Sequence, residues 1–185
     1  MKFLVLFPLL LSITLSQNTN DAYKRILKRI NVTNAIEIRA SNKTEMNNKV
    51  NAANVSESVK EWVKTSSPNK TNSKSNIDLS YDKKEGGKAK GELYYYSHTK
   101  FFSWSSYVFN YGTVDVELKP IPVLTQKKCK GLFGNRKCRD VPYSPYVSEE
   151  NLKAFLNTKM REAIRKEIKK QNKTKPANNT QKKDN

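Results

Sequence analysis

The side chains able to do chemistry are few, and most of them are cations. His98 is the single histidine. A general base needs a shielded position and an orienting partner, whereas His98 falls in Ser97-His98-Thr99-Lys100, which reads as a tight, exposed turn. Glu92, Asp115 and Glu117 could assemble the paired carboxylates of a glycosidase. Asp115 and Glu117, however, alternate with Val114, Val116 and Leu118 and so mark the solvent side of a strand. The chain has no GxSxG elbow, HExxH, P-loop or GxGxxG. Two cysteines and one histidine are too few soft ligands for a structural metal site. The expectation is a protein that is not an enzyme and takes neither metal nor cofactor.

The densest chemistry lies in 127-KKCKGLFGNRKCRD-140. Cys129 and Cys138 bracket a loop surrounded by Lys127, Lys128, Lys130, Arg136, Lys137 and Arg139, with Leu132 and Phe133 at its centre and no acid before Asp140. The span from Val123 through Cys138 reads as a hairpin, with Gly134-Asn135 able to supply positive φ at the turn. A disulfide joining Cys129 to Cys138 would staple the arms. By the chain-entropy model so short a closed loop contributes about 2–3 kcal/mol, which offsets repulsion among like charges. Gln126-Lys127-Lys128-Cys129-Lys130-Gly131 also matches the X-B-B-X-B-X spacing associated with heparin binding. Over these few residues the loop resembles the cationic disulfide hairpins of host-defence peptides, which implies affinity for anionic surfaces.

The disulfide requires an oxidising compartment, and the N-terminus predicts one. Residues 1–16 carry Lys2, an apolar run from Phe3 to Leu11, and small residues at Thr14 and Ser16 ahead of a cleavage point. That is the pattern of a secretory signal peptide. No later apolar stretch approaches the ~18 residues of a membrane span, so the chain is expected to be secreted and extracellular. Secretion gives weight to the sequons at Asn31, Asn42, Asn54, Asn69, Asn172 and Asn178. Four lie before residue 72 and two after residue 171, so the stretch between is expected to be the folded part.

The formal net charge is +18. It is spread along the chain, with +4 over residues 17–82, +7 over 83–147 and +6 over 148–185. Such a field favours polyanions: an anionic glycan, a cell surface or an acidic protein. Secretion sets nucleic acid aside.

The elements that must position these groups follow from periodicity. Residues 20–30 read as a short basic helix with Tyr23, Ile26, Leu27 and Ile30 on one face. Residues 55–64 suggest a second helix, with Ser58 and Glu61 as its capping box. Residues 65–76 contain no apolar side chain and read as a disordered, glycosylated linker extending to Gly87. From Leu93 to Leu118 the chain concentrates its aromatic residues. It reads there as a three-strand meander turning at Ser97–Lys100 and at Asn110-Tyr111-Gly112. Ser148 opens the clearest helix. Glu149 and Glu150 lie in its first turn, and Leu152, Phe155, Leu156, Met160, Ala163, Ile164 and Ile168 form one stripe.

The expected fold is α+β: a small antiparallel aromatic-rich sheet with a disulfide-stapled hairpin, packed by a C-terminal amphipathic helix and flanked by disordered glycosylated segments. The expected organisation is a signal peptide (1–16), a glycosylated polar region with short helices and a linker (17–87), a compact α+β domain (88–171) and a disordered basic tail (172–185). The expected function is a secreted, N-glycosylated, strongly basic binding protein for an anionic extracellular partner. Lys153, Lys159, Arg165, Lys166, Lys169 and Lys170 would assist the loop. The alternatives are a membrane-active cationic defence or toxin-like protein inserting Leu132 and Phe133, and a species-specific protein of a reproductive or salivary secretion.

Overall fold

A computed structural model describes residues 22–66, 72–130 and 137–174. Residues 22–26 are helical. The chain continues through β1 (Leu27–Ala40), α1 (Lys43–Ala52), α2 (Glu57–Thr65), β2 (Asn72–Asp82), β3 (Gly86–Phe101), β4 (Trp104–Leu118), β5 (Leu124–Lys130), β6 (Lys137–Tyr143) and α3 (Glu149–Thr174). A four-stranded sheet has the order β1-β4-β3-β2, and β5 and β6 form a separate two-stranded sheet. Short turns make β2–β3 and β3–β4 antiparallel neighbours. β1 runs against β4 as well, because Ile26 meets Lys119, Lys28 meets Glu117 and Thr33 meets Thr113. The α+β class, the antiparallel sheet, the stapled hairpin and the C-terminal helix agree with the sequence.

Regular structure extends into the segment expected as a linker. Residues 17–87 supply both outer strands of the sheet as well as α1 and α2. The turn at residues 83–85 joins β2 directly to β3, so no linker separates residue 87 from residue 88. The second half of β2 does carry a strand pattern, since Ile77, Leu79 and Tyr81 are half-buried and alternate with the exposed Asp78, Ser80 and Asp82, whereas its first half, Asn72–Asn76, is wholly polar. Asn72–Asn76 are held by ladder hydrogen bonds, and these ask nothing of the side chains. Residues 27–30 are strand where a helix was expected. Among the described residues, the strands β1–β4 and α3 each contribute to two compact units: one holds those up to Asn31 with those of Ile77–Lys90 and Asp115–Asn157, the other those of Val32–Asn76, Gly91–Val114 and from Thr158 to Thr174.

The second unit holds the aromatic core. Tyr94 and Tyr96 of β3, Phe109 and Tyr111 of β4, and Ile38 and Ala40 of β1 pack with Met46, Val50, Val55, Val59 and Val63. The aromatic face is therefore covered by α1 and by α2, the helix expected over residues 55–64. Trp62 of α2 stands edge-on to Tyr94 at 4.8 Å. On the opposite sheet face Gly112 gives α3 room. A Cβ there would collide with the Ile164 side chain, which is why this glycine sits inside a strand and not in the expected turn. The meander is likewise corrected: 97–100 and 110–112 are strand interior, and the only turn between β3 and β4 is at 102–103.

The helix starts follow capping chemistry. Asn42 caps α1 by accepting from the Glu45 amide, and Glu45 accepts in return from the Ser41 amide and hydroxyl. Lys49, then Ser41, hold the Glu45 carboxyl down at about 2. At α2 the expected Ser58/Glu61 box is not used. Ser56 takes the N-cap position, and its hydroxyl bonds Glu92 of β3 instead of an amide. At α3 Ser148 Oγ accepts from the Asn151 amide, and Leu152, Leu156, Met160, Ile164 and Ile168 are buried as the stripe requires. In the first unit Tyr23 stacks on Phe155 with ring centroids 5.5 Å apart, and Ile26, Ala89, Val116, Leu118 and Val147 are buried.

Candidate functional site

Cys129 and Cys138 form the disulfide and stand directly opposite each other across β5 and β6. Their register sorts the cations. Lys128 faces Arg139 and Lys130 faces Lys137, whereas Lys127 faces Asp140. Side chains alternate between faces along a strand. Lys128, Arg139, Lys130 and Lys137 therefore share one face, and Lys127, Asp140 and the disulfide share the other. All six of these charged residues are exposed. Like charges directly opposite are destabilising, but at exposed sites each pair costs only about 1 kcal/mol or less after screening. A disulfide contribution of about 2–3 kcal/mol outweighs that. The hairpin therefore holds four cations on one face with no acid in register on that face. Arg136, Leu132 and Phe133 lie outside the described residues, as do the sequons at Asn69 and Asn178. Asn31, Asn42, Asn54 and Asn172 are exposed.

The helix cations differ in their surroundings. Lys153 pairs with Glu149 at 2.8 Å and Lys159 with Glu162 at 2.9 Å. Arg165, Lys166, Lys169 and Lys170 are exposed.

The three carboxylates considered for catalysis are dispersed in role. Glu92 Oε1 accepts from both Ser56 Oγ and Tyr111 Oη, at 2.9 and 3.0 Å. Burial, with the Glu92 bond adding to it, pushes the Tyr111 phenol up to about 12. Glu117 pairs with Lys28 at 3.0 Å, and that cation holds its carboxyl below the usual range. Asp115 is exposed. His98 departs from the sequence reading: it is half-buried within β3 and stacks on Tyr107 at 4.2 Å. Among the described residues no group of three or more His, Cys, Asp and Glu could hold a metal ion, and no helix is long and apolar enough to cross a membrane.

Two features were not read from the sequence as sites. A cavity of about 220 Å³ in the second unit is lined by Leu93, Tyr94, Tyr95, Asn110, Arg161, Ile164 and Arg165. Burial, and then the neighbouring Arg165, depress the Arg161 guanidinium, which donates to the Lys74 carbonyl. Its only sequence signal is the i, i+4 spacing of two arginines beside the apolar stripe, which needs the position of α3 to become meaningful. The second feature is the tip of the β3–β4 hairpin, where Phe101, Phe102 and Trp104 are 55, 85 and 54 % exposed. No protein-family model matches the chain, and no curated protein or solved structure shows significant similarity to it.

Proposed function

We propose that this is a secreted, N-glycosylated, strongly basic, non-enzymatic protein whose β5–β6 hairpin binds an anionic extracellular partner: a sulfated glycan, a cell surface or an acidic protein. The observation that carries the reading is the register, which gathers Lys128, Lys130, Lys137 and Arg139 on one face of a covalently closed ribbon. A rigid ribbon binds a linear polyanion with little ordering cost, because its arms are already fixed. The even spread of charge over the chain adds a long-range attraction that brings any polyanion close.

Heparin chromatography tests the assignment. Replacing Lys128, Lys130, Lys137 and Arg139 together by serine is expected to lower the eluting salt sharply. Lys127→Ser alone, on the other face and opposite Asp140, is expected to change it little. Elution of the fourfold variant at unchanged salt would remove the hairpin from the proposal. An equal effect from Lys127→Ser would remove the role of the face.

A further inference from the structure

We propose that the tip of the β3–β4 hairpin is a membrane anchor: Phe101, Phe102 and Trp104 enter the interfacial layer of an anionic bilayer while Lys100 remains among the headgroups. The inference rests on residues other than the basic hairpin. Three large aromatic side chains stand at least half exposed around a two-residue turn, outside the aromatic core that buries Tyr94, Tyr96, Phe109 and Tyr111. Phe101 packs edge-on against Phe102 at 4.5 Å and lies 6.0 Å from Trp104, so the three form one contiguous apolar cap. Phe102 has φ +48, the one positive φ at a residue other than glycine among the described residues. A bulky side chain rarely adopts that backbone region, where glycine and asparagine are favoured. The turn thus holds a strained conformation and in doing so leaves Phe102 largely in water, with the exposed Phe101 as its ring neighbour.

The surroundings select a bilayer over a protein groove. A groove accepts one protruding anchor, whereas here three rings cap a convex turn. Ser103 completes the turn, and the flanks are Ser97, Thr99, Ser105 and Ser106, short polar groups suited to a headgroup layer, with Lys100 as the one charge. From Leu93 to Val114 the chain carries no Asp or Glu, so nothing on the tip repels an anionic surface. Tryptophan favours the membrane interface, where its ring is apolar and its indole N–H stays wet. Lysine at the same level adds attraction to anionic lipid.

The chain has two tryptophans, and Trp62 packs on the core, so Trp62→Phe leaves Trp104 as the single reporter. With this variant of the mature chain, vesicles of phosphatidylcholine and phosphatidylserine are expected to shift Trp104 emission to the blue, and phosphatidylcholine alone to do so less. In flotation with the same vesicles, Phe101→Ser/Phe102→Ser is expected to lose binding by about tenfold or more, with an unchanged circular dichroism spectrum. Flotation of the chain with its native tryptophans keeps the test open if Trp62→Phe does not fold. Three outcomes would overturn the anchor. One is an unmoved Trp104 spectrum with both vesicles. Another is full flotation of the double serine variant alongside loss by the fourfold variant of the basic hairpin, which would assign adhesion to charge alone. The third is a concentration-dependent blue shift without lipid, which would make the tip a contact between copies of this chain. Failure of the heparin experiment leaves the anchor standing, because none of its residues is altered there.

Discussion

The β3–β4 hairpin has arms of 16 and 15 residues, and the β5–β6 hairpin has seven on each side. Along β3 and β4 buried residues lie on both sheet faces: Tyr94, Tyr96, Phe109 and Tyr111 under α1 and α2, and Gly91 and Gly112 against α3. A slip of one residue would exchange the buried rings and the glycines between faces, so burial specifies the register strongly, together with the two-residue turn at 102–103. On β5 and β6 no residue is buried. Burial cannot choose a register there, and the electrostatics of the four-cation face oppose pairing. The disulfide does the work that the core does in the longer hairpin. A hairpin rooted in the core is free to leave its tip apolar and strained, whereas a hairpin with no fully buried residue relies on a covalent bond but can devote one face to charge.

The comparison is broken most severely at the root of the longer hairpin. Phe109 is completely buried among tyrosines and valines. Phe109→Ala is expected to cost about 3–5 kcal/mol, read as a lower denaturant midpoint. Typical domain stabilities are only about 5–15 kcal/mol, so the loss is a large part of the whole. The Cys129–Cys138 bond should persist in the variant. A cost under about 1 kcal/mol would mean that burial does not hold the β3–β4 register.

A smaller and more local effect is expected from Cys129→Ser/Cys138→Ser. Loss of the staple removes about 2–3 kcal/mol from the hairpin and little from the rest. Trypsin should cut between Lys127 and Arg139 roughly thirtyfold faster or more, since cleavage follows the population of the open form. The global denaturant midpoint should move far less than in Phe109→Ala. Equal falls in the two variants would show that the basic hairpin shares the core's cooperativity, and the contrast between the hairpins would vanish.

What the sequence disclosed divides along the same line. The stripe of α3, its Ser148 cap, the hairpin and its disulfide are all local patterns, and each is where periodicity and spacing put it. The partition of the cations was hidden, because it depends on which residue faces which, and that is a property of register. The first half of β2 was hidden because an edge strand can be built on backbone hydrogen bonds with polar side chains such as Ser73, Lys74 and Ser75, but its second half was legible in the alternation of Ile77, Leu79 and Tyr81 with Asp78, Ser80 and Asp82. Residues 27–30 were hidden because four apolar residues in eleven fit a helix face as well as a strand. The turn was misplaced for a physical reason. Gly112 satisfies a helix packed behind it, while Phe102 takes the backbone conformation that turn rules reserve for glycine. His98 was misread for the same reason, since moving the turn carried it into β3 and onto Tyr107.

The smallest expected effect sharpens the comparison most, at the tip of the longer hairpin. The left-handed backbone costs a residue with a Cβ about 1–2 kcal/mol, and glycine none of that. Phe102→Gly therefore relieves the strain at φ +48. Against this stand the greater freedom of glycine in the unfolded chain, about 0.5–1 kcal/mol, and loss of the exposed edge contact with Phe101. The terms nearly balance, and the expected result is a gain of about 0.5 kcal/mol or less in the denaturant midpoint analysis. The same variant should bind anionic vesicles more weakly than the unaltered chain. The two readings then move in opposite directions at one position, which is the signature of strain retained for a task other than folding. A loss of about 1 kcal/mol or more would show that Phe102 stabilises the turn through its own packing, and its exposure would need no partner to explain it.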